Sequence, residues 1–228
     1  IKLLKKVLIK LLNIIYGITE DLNHRLLKYM IEQFEEIKGF LDSEEGNALY
    51  KFCKSSHLNG VCAEIGSYCG KSACYIGYAC KEVGSKLYSV DHHKGSEEQQ
   101  FGEEYFDEEI FDYSKNEVNT LPLFLKNISK FQLDNFIEPV IMSSNDASKV
   151  VPNKLDFLFI DGSHTFESAR SDYKSWVKKL RLGGVLAIHD VYDSEEEGGQ
   201  APKEIYLKAL DEGFNLLERR KSLVILRR

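Results

Sequence analysis

After Gly60 the chain alternates. Short β-rich runs are each followed by an amphipathic helical run, until the C-terminal end, where two β-rich runs follow each other directly. No other feature of the sequence limits the fold as much. The strand runs are 61–66 (VCAEIG), 86–91 (KLYSVD), 137–143 (IEPVIMS), 155–161 (LDFLFID) and 184–190 (GVLAIHD). Helices fit between them. One follows Gly70, over Lys71 to Lys81. Another is capped by Thr120 and carries Leu121, Phe124, Leu125 and Ile128. A third presents Ala169, Tyr173, Trp176, Val177 and Leu180 as an apolar stripe. Strands alternating with helices imply a parallel sheet covered on both faces. The end differs. A helix from about Pro202 to Asp211 stops at Gly213. FNLLERR and SLVILRR then follow with only Lys221 between them, which permits only an antiparallel pair. The expected fold is α/β: a doubly wound, mostly parallel seven-stranded sheet with a C-terminal antiparallel hairpin.

The first 59 residues read as an N-terminal helical segment, and residues 60–228 as the α/β domain with an insertion at about 92–119. In residues 1–18, Lys2, Lys5, Lys6, Lys10 and Asn13 share one side of a helical wheel, while Leu4, Val7, Leu8, Leu11, Ile14 and Ile15 fill the rest. Such a basic amphipathic helix suits either a peripheral membrane contact or packing on its own domain or on a second subunit, as in a homodimer. No small-residue cleavage site follows it, so it is a poor signal peptide. A second helix is expected over Asp21 to Lys38. Ser43 reads as the N-cap of a third that runs to about Lys54, with Glu44 and Glu45 in its first turn.

A net charge of -6 argues against nucleic acid as a partner and for a small molecule. The five cysteines, Cys53, Cys62, Cys69, Cys74 and Cys80, are odd in number and form no C-x-x-C. They fit buried thiols in a reducing compartment, hence a cytoplasmic location, better than a disulfide or zinc framework.

The segment AEIGSYCGKSA (63–73) joins the first strand to the first helix of the domain. In an open parallel sheet, ligands bind beyond the carboxyl ends of the strands, and this loop sits at such an end. The G-x-G-x-x-G spacing that cradles a pyrophosphate is absent. Gly66 and Gly70 give G-x-x-x-G instead. Asp91 ends the second strand, where a carboxylate can accept both hydroxyls of a ribose. Glycines at the turn let an amino-acid tail lie along the backbone, and Glu64 is close enough to hold its ammonium. Adenosine plus an amino-acid tail describes S-adenosylmethionine.

EIGSYCGKSA closely resembles the first motif of catechol O-methyltransferase-like enzymes. LDFLFIDGSHTFESARSDYKSWVKKLRLGGVLAIHDV (155–191) resembles the group that includes macrocin-type sugar O-methyltransferases. Together they identify residues 60–228 as similar to the Rossmann-like class I S-adenosylmethionine-dependent methyltransferases. The resemblance implies O-methylation of a small molecule or sugar-containing metabolite. It places Glu64, Gly66, Ser67, Gly70 and Ser72 around the methionine part of the cofactor, Asp91 on the ribose with His92 beside it, Ser144 and Asn145 on the adenine, and Asp161 near the sulfonium.

Methyl transfer to oxygen needs alignment, exclusion of water and a destination for the acceptor's proton. Asp161 with His164, and His189 with Asp190, fall at neighbouring strand ends and are the candidate catalytic residues. Asp161 and Asp190 also match two carboxylate ligands of magnesium-dependent relatives, which makes Mg2+ a candidate second cofactor. The third oxygen ligand of that pattern is replaced by Val191, leaving His164, His189 or water to complete the shell. The insertion sets Phe101, Tyr105, Phe106, Phe111 and Tyr113 among acids and suits either a substrate lid or a solvated excursion. The loop YDSEEEGGQAPKE, after Val191, is expected to border the same cleft. Two other readings compete: a nucleotide-cofactor oxidoreductase, and a catalytically silent adaptor of the same fold at a membrane surface.

Overall fold

The structure is a computed structural model that describes residues 22, 25–57, 60–96, 99–103 and 105–228. The backbone divides into two compact units, residues 1–36 and 37–228. In the first, the described residues are helical over 25–34 and turn at 35–36, so the second expected helix stops short of Lys38. The basic helix of residues 1–18 and the membrane contact attached to it lie outside the described residues. No helix of the described residues is long and apolar enough to cross a membrane.

The second unit opens with α1 (Ser43–Ser56). Its N-cap is Asp42, not Ser43. Asp42 has extended backbone angles and its carboxylate accepts from the Glu44 N–H at 2.8 Å. The Glu45 carboxylate reaches back to the Asp42 N–H at 3.1 Å and completes a capping box. Then come β1 (Val61–Ile65), α2 (Lys71–Val83) and β2 (Leu87–Val90). The insertion holds a two-stranded antiparallel pair, β3 (Phe111–Asp112) with β4 (Glu117–Val118). The remaining elements are α3 (Leu121–Lys130), β5 (Ile137–Val140), α4 (Ser144–Val150), β6 (Leu155–Ile160), α5 (Phe166–Trp176), β7 (Leu180–Ile188), α6 (Ala201–Asp211), β8 (Asn215–Arg220) and β9 (Leu223–Arg227).

The sheet has seven strands in the order β5-β2-β1-β6-β7-β9-β8. The first five run parallel, and β9 is antiparallel to both β7 and β8. The expected fold is therefore present, hairpin included. β9 takes the inner place and is buried, while β8 forms the exposed edge. Trp176 is fully buried on the stripe predicted for it and packs in the core with Tyr173, Leu158 and Leu186.

Some boundaries move for physical reasons. Thr120 stands at the N-cap of α3 without capping it, because its hydroxyl pairs with His93 Nδ1 at 2.7 Å. Leu180 leaves the expected helical stripe: α5 ends at Trp176, a 3-10 turn covers Val177–Lys179, and Leu180 pairs with Leu155 in the sheet. β2 and β6 stop one residue before Asp91 and Asp161. Those carboxylates therefore stand just past the same end of the sheet, one on each side of β1.

Candidate active site

The glycine loop is shaped by two neighbouring strand ends. Gly66 has φ +85°, and a Cβ there would overlap the carbonyl oxygen of Asp161. Its own N–H donates to the Val90 carbonyl at 2.9 Å, and the Asp161 N–H donates to the Ile65 carbonyl at 2.8 Å. Only glycine allows β1 to turn this close to the end of β6. Asp91 then gathers the loop. Its Oδ2 accepts from the N–H groups of Ser67 and Tyr68, each at 2.9 Å, and its Oδ1 from the His93 N–H at 2.7 Å. The Ser67 hydroxyl is buried with no hydrogen-bond partner among the described residues.

Glu64 lies behind this loop. It is fully buried, and its carboxyl accepts from Ser72 Oγ at 3.0 Å and Ser89 Oγ at 2.6 Å. Burial drives its pKa up to about 8; the two hydroxyls pull it down, and the charges of Asp161 and Asp91 push it further up. At neutral pH it is therefore mostly a neutral acid.

A cavity of about 1040 Å³ opens in front of the loop. Its wall includes Gly66, Ser67, Ser72, Asp91, His92, Ser144, Asn145, Asp161, His164, His189 and Asp190, so residues singled out along 125 positions of sequence meet around one space. Glu64 and Gly70 are not on the wall. Glu64 faces Ser72 and Ser89, and Gly70 serves as the left-handed start of α2, packed on the Phe124 ring. Ser144 is on the wall, but its hydroxyl is taken by the Trp176 indole N–H at 2.9 Å. The expected loop after Val191 contributes Tyr192, Glu197, Gly198 and Gly199. Of the insertion's aromatic residues, only Tyr105 reaches the wall. Its ring lies 6.0 Å from that of Phe40, which in turn lies 5.7 Å from that of Tyr68. Phe101, Phe106, Phe111 and Tyr113 turn to one another instead, with ring centroids 5.0–5.8 Å apart.

At the far side, His189 sits among three carboxylates. Its Nδ1 is 3.1 Å from Asp161 Oδ1 and 3.5 Å from Asp190 Oδ2, and its Nε2 is 3.1 Å from Glu45 Oε2. Burial alone would lower its pKa. The charge of Asp161 and the bonds to Asp161, Asp190 and Glu45 outweigh that and hold it well above the ordinary value. These partners favour the imidazolium form of His189, which donates from both nitrogens and so suits holding Asp161 in place. Asp190 is held far below the usual carboxylate range: burial works against ionisation, but His164 and His189 win. His164 Nε2 pairs with Asp190 Oδ2 at 3.1 Å, and the His164 side chain is 35% exposed at the wall.

The ligand atoms of Asp161, His164 and Asp190 lie within 4.8 Å of one another. Val191 offers no side-chain ligand atom. It is buried, its N–H donates to the Ser222 carbonyl, and its own carbonyl accepts from Arg219. His164 stands where the third ligand would be needed.

Sequence reasoning missed Glu45 and Asp172. Glu45 is explained locally by its capping box, which hides its second role. Asp172 left a signal: it is an acid within the apolar stripe of Ala169, Tyr173 and Trp176. It is only 7% exposed and lines the cavity.

Residues 63–191, more than half of the chain, match a family model described as a methyltransferase domain. Among solved structures, the O-methyltransferase NovP aligns with a TM-score of 0.60 at 17% identity, over 81% of this chain and 78% of that one. An O-methyltransferase from Bacillus cereus, solved with SAH, gives 0.59 at 13% identity over 88% and 91%. TomG from Streptomyces achromogenes, an O-methyltransferase of tomaymycin synthesis solved with SAM, gives 0.57 at 11% identity over 87% and 86%. At these identities the likeness is one of fold. An uncharacterized protein of Acanthamoeba polyphaga mimivirus is 28% identical over 69 residues, which are 30% of this chain and only 28% of that protein's length. The matched segment begins in β1 and runs past Asp190, enclosing the glycine loop, Asp91 and the Asp161–His164 pair, and the chain belongs to the methyltransferase-domain family.

Proposed function

We propose that the chain transfers a methyl group from S-adenosylmethionine to an oxygen of a small acceptor. The observation that carries this reading is Asp91, just past β2 on the cavity wall, with the glycine loop at the end of β1 lying between it and Asp161, His164 and Asp190. The names of the fold neighbours support it: NovP, TomG and the Bacillus cereus protein are O-methyltransferases, two of them solved with SAM or SAH. The fitted roles are as follows. Gly66, Ser67 and Ser72 take the amino-acid tail, and the unpartnered Ser67 hydroxyl is available to it. Asp91 has lone pairs left for ribose hydroxyls beyond its three backbone bonds. His92 and Asn145 flank the base.

When bound, the cofactor supplies the methyl group as an electrophile on a sulfonium. The acceptor oxygen forms the new C–O bond as the S–C bond breaks, and the acceptor's proton must leave. His164 is the group placed to take it, with Asp190 fixing its ring and stabilising its charge. His189 fixes Asp161 from behind. The cavity volume accommodates a cofactor and a small acceptor together. Phe40, Tyr68 and Tyr105 stand at its wall as apolar surface for the acceptor. Asp161, His164 and Asp190 would alternatively hold a divalent cation, which would stabilise negative charge on the acceptor oxygen in place of a His164 base. A mixed nitrogen and oxygen donor set suits Mn2+ or Zn2+ better than Mg2+.

Calorimetry with S-adenosylhomocysteine and, separately, with NAD tests the reading. Binding of the first in the micromolar range and no heat from the second is expected; the reverse would overturn it in favour of an oxidoreductase. Incubation of the enzyme and carbon-13-methyl cofactor with a metabolite extract, with and without EDTA, then reports the acceptor atom. A methoxy carbon signal is expected, and an N-methyl signal would refute oxygen as the acceptor.

A further inference from the structure

We infer that Asp172 reads the exocyclic amino group of the cofactor's adenine, so that the site takes a 6-amino purine and rejects its 6-oxo counterpart. This rests on the methyltransferase reading above and goes further by naming the residue that selects the base.

Asp172 lies in α5, between buried Ala169 and Trp176, and lines the cavity together with Ser144 and Asn145. A carboxylate this buried normally has a cation or several donors. Among the described residues it has the Ser144 hydroxyl and no cation.

The direction of each bond is fixed by chemistry. The Trp176 indole can only donate, so Ser144 Oγ accepts from it at 2.9 Å. The single hydroxyl proton of Ser144 is then free to go to Asp172. Ser144 has no proton left for a ligand, and Asp172 keeps acceptor capacity toward the cavity. Gly162 leaves room at this point, because a Cβ there would come within 2.8 Å of Asp172 Oδ2.

Burial lifts the Asp172 pKa to about 6, with Ser144 pulling the other way. The group is thus an under-satisfied acceptor at neutral pH. Its hydroxyl partner Ser144 opens α4 just past β5, the strand next to β2, which Asp91 follows. A base attached to that ribose and reaching past Ser144 meets Asp172. The adenine amino group offers the donor that the carboxylate lacks. Hypoxanthine would bring a carbonyl oxygen against it, pairing two acceptors across a dry contact.

The test compares S-adenosylhomocysteine with S-inosylhomocysteine by calorimetry near pH 7.5, on wild type and on Asp172→Asn, with circular dichroism to confirm folding. Wild type is expected to prefer the adenosyl ligand by about 100-fold or more. Asp172→Asn is expected to cut that preference by at least about tenfold, because its amide can also donate to the 6-oxo group. Wild type binding both ligands equally would overturn the assignment without any variant, and so would an unchanged preference in folded Asp172→Asn. Wild type binding neither ligand would instead refute the methyltransferase reading itself and the inference with it.

Discussion

Glu45 and His189 meet across 144 positions of sequence, Oε2 to Nε2 at 3.1 Å, and both are almost wholly buried. The pair ties α1, which lies outside the segment matched to the methyltransferase family, to the residue just past β7. Glu45 also accepts from the Ser222 N–H at 3.0 Å and the Ser222 hydroxyl at 2.8 Å, so one carboxylate secures the cap of α1, the turn before β9 and the imidazolium behind Asp161.

Removing that carboxylate should be costly. Glu45→Ala leaves a buried imidazolium short of one counter-charge and orphans the Ser222 donors, a loss of about 3–5 kcal/mol. Glu45→Gln keeps the shape and isolates the charge. The raised pKa of His189 contributes stability that is full below its unfolded value near 6.5 and is lost as pH rises through the folded value. The lowered pKa of Glu45 contributes above about 4.5 and is lost as pH falls through its folded value. The gap between wild type and Glu45→Gln should therefore be widest between those two values and shrink toward alkaline pH. Urea midpoints in EDTA at about pH 5.5 and about pH 9.5 measure it; a gap that widens with pH would refute the ion pair.

Glu64 predicts a slope of the same sign from a different cause, a neutral acid instead of an ion pair. Its pKa near 8 in the folded state, against 4.5 unfolded, means the native protein holds a proton that the unfolded chain has lost. Stability should fall as pH rises through that window, by a few kcal/mol in total. Glu64→Gln mimics the neutral acid and keeps a partner for Ser72 and Ser89, so it should match wild type near pH 5 and exceed it near pH 9. Glu64→Ala should lose about 2–4 kcal/mol at both, from the cavity and two orphaned hydroxyls. Denaturation curves of the three proteins decide this, and a Gln variant weaker than wild type at pH 9 would show an ionised, paired Glu64 instead.

These two residues also show what the sequence discloses and what it hides. The alternation of strands and helices, with only Lys221 and Ser222 separating the last two strands, made the sheet legible because strand spacing and turn length are local properties. Asp91, Asp161, His164 and Asp190 were legible because they sit at the ends of strands whose direction the topology dictates. Side-chain destination is not local. Glu45 satisfies a capping box and shows no further need until β7 and β9 arrive beside it. Glu64 was placed on the correct strand, but its orientation toward Ser72 and Ser89 follows from the register of β1 on β2, which pairs Glu64 with Ser89. Leu180 fits a helical stripe equally well as a strand start, and only pairing with Leu155 decides.

The contrast between two glycines isolates the close approach at the loop. Gly66 and Gly84 both have positive φ, +85° and +71°, so alanine strains the backbone at either. Nothing lies within 4 Å of a Cβ at Gly84, whereas at Gly66 it would overlap the Asp161 backbone. Gly84→Ala should cost about 1 kcal/mol, while Gly66→Ala should cost about 3–5 kcal/mol and displace Asp161. Thermal melts compare the two, and equal losses would remove the argument that β1 and β6 must touch.

Asp91 carries two duties that one substitution can separate. Its Oδ2 holds the N–H groups of Ser67 and Tyr68 even without a ligand, and Tyr68 itself sits at φ +46°, a conformation that needs holding. Asp91→Ala should therefore free the loop before any cofactor arrives, speeding amide exchange at Ser67 and Tyr68 by about 10–100-fold, the equivalent of one or two charge-assisted bonds. It should also weaken S-adenosylhomocysteine by a factor of about 100 or more, since the ribose loses its acceptor and the tail loses an ordered backbone. Asp91→Asn retains one acceptor oxygen and should keep part of the loop's protection while still losing affinity. Hydrogen exchange followed by mass spectrometry reads the first effect and calorimetry the second. If affinity fell in Asp91→Ala with loop exchange unchanged, Asp91 would act on the ligand alone; if exchange rose with affinity intact, the carboxylate would be a loop anchor and the ribose would have to be held elsewhere.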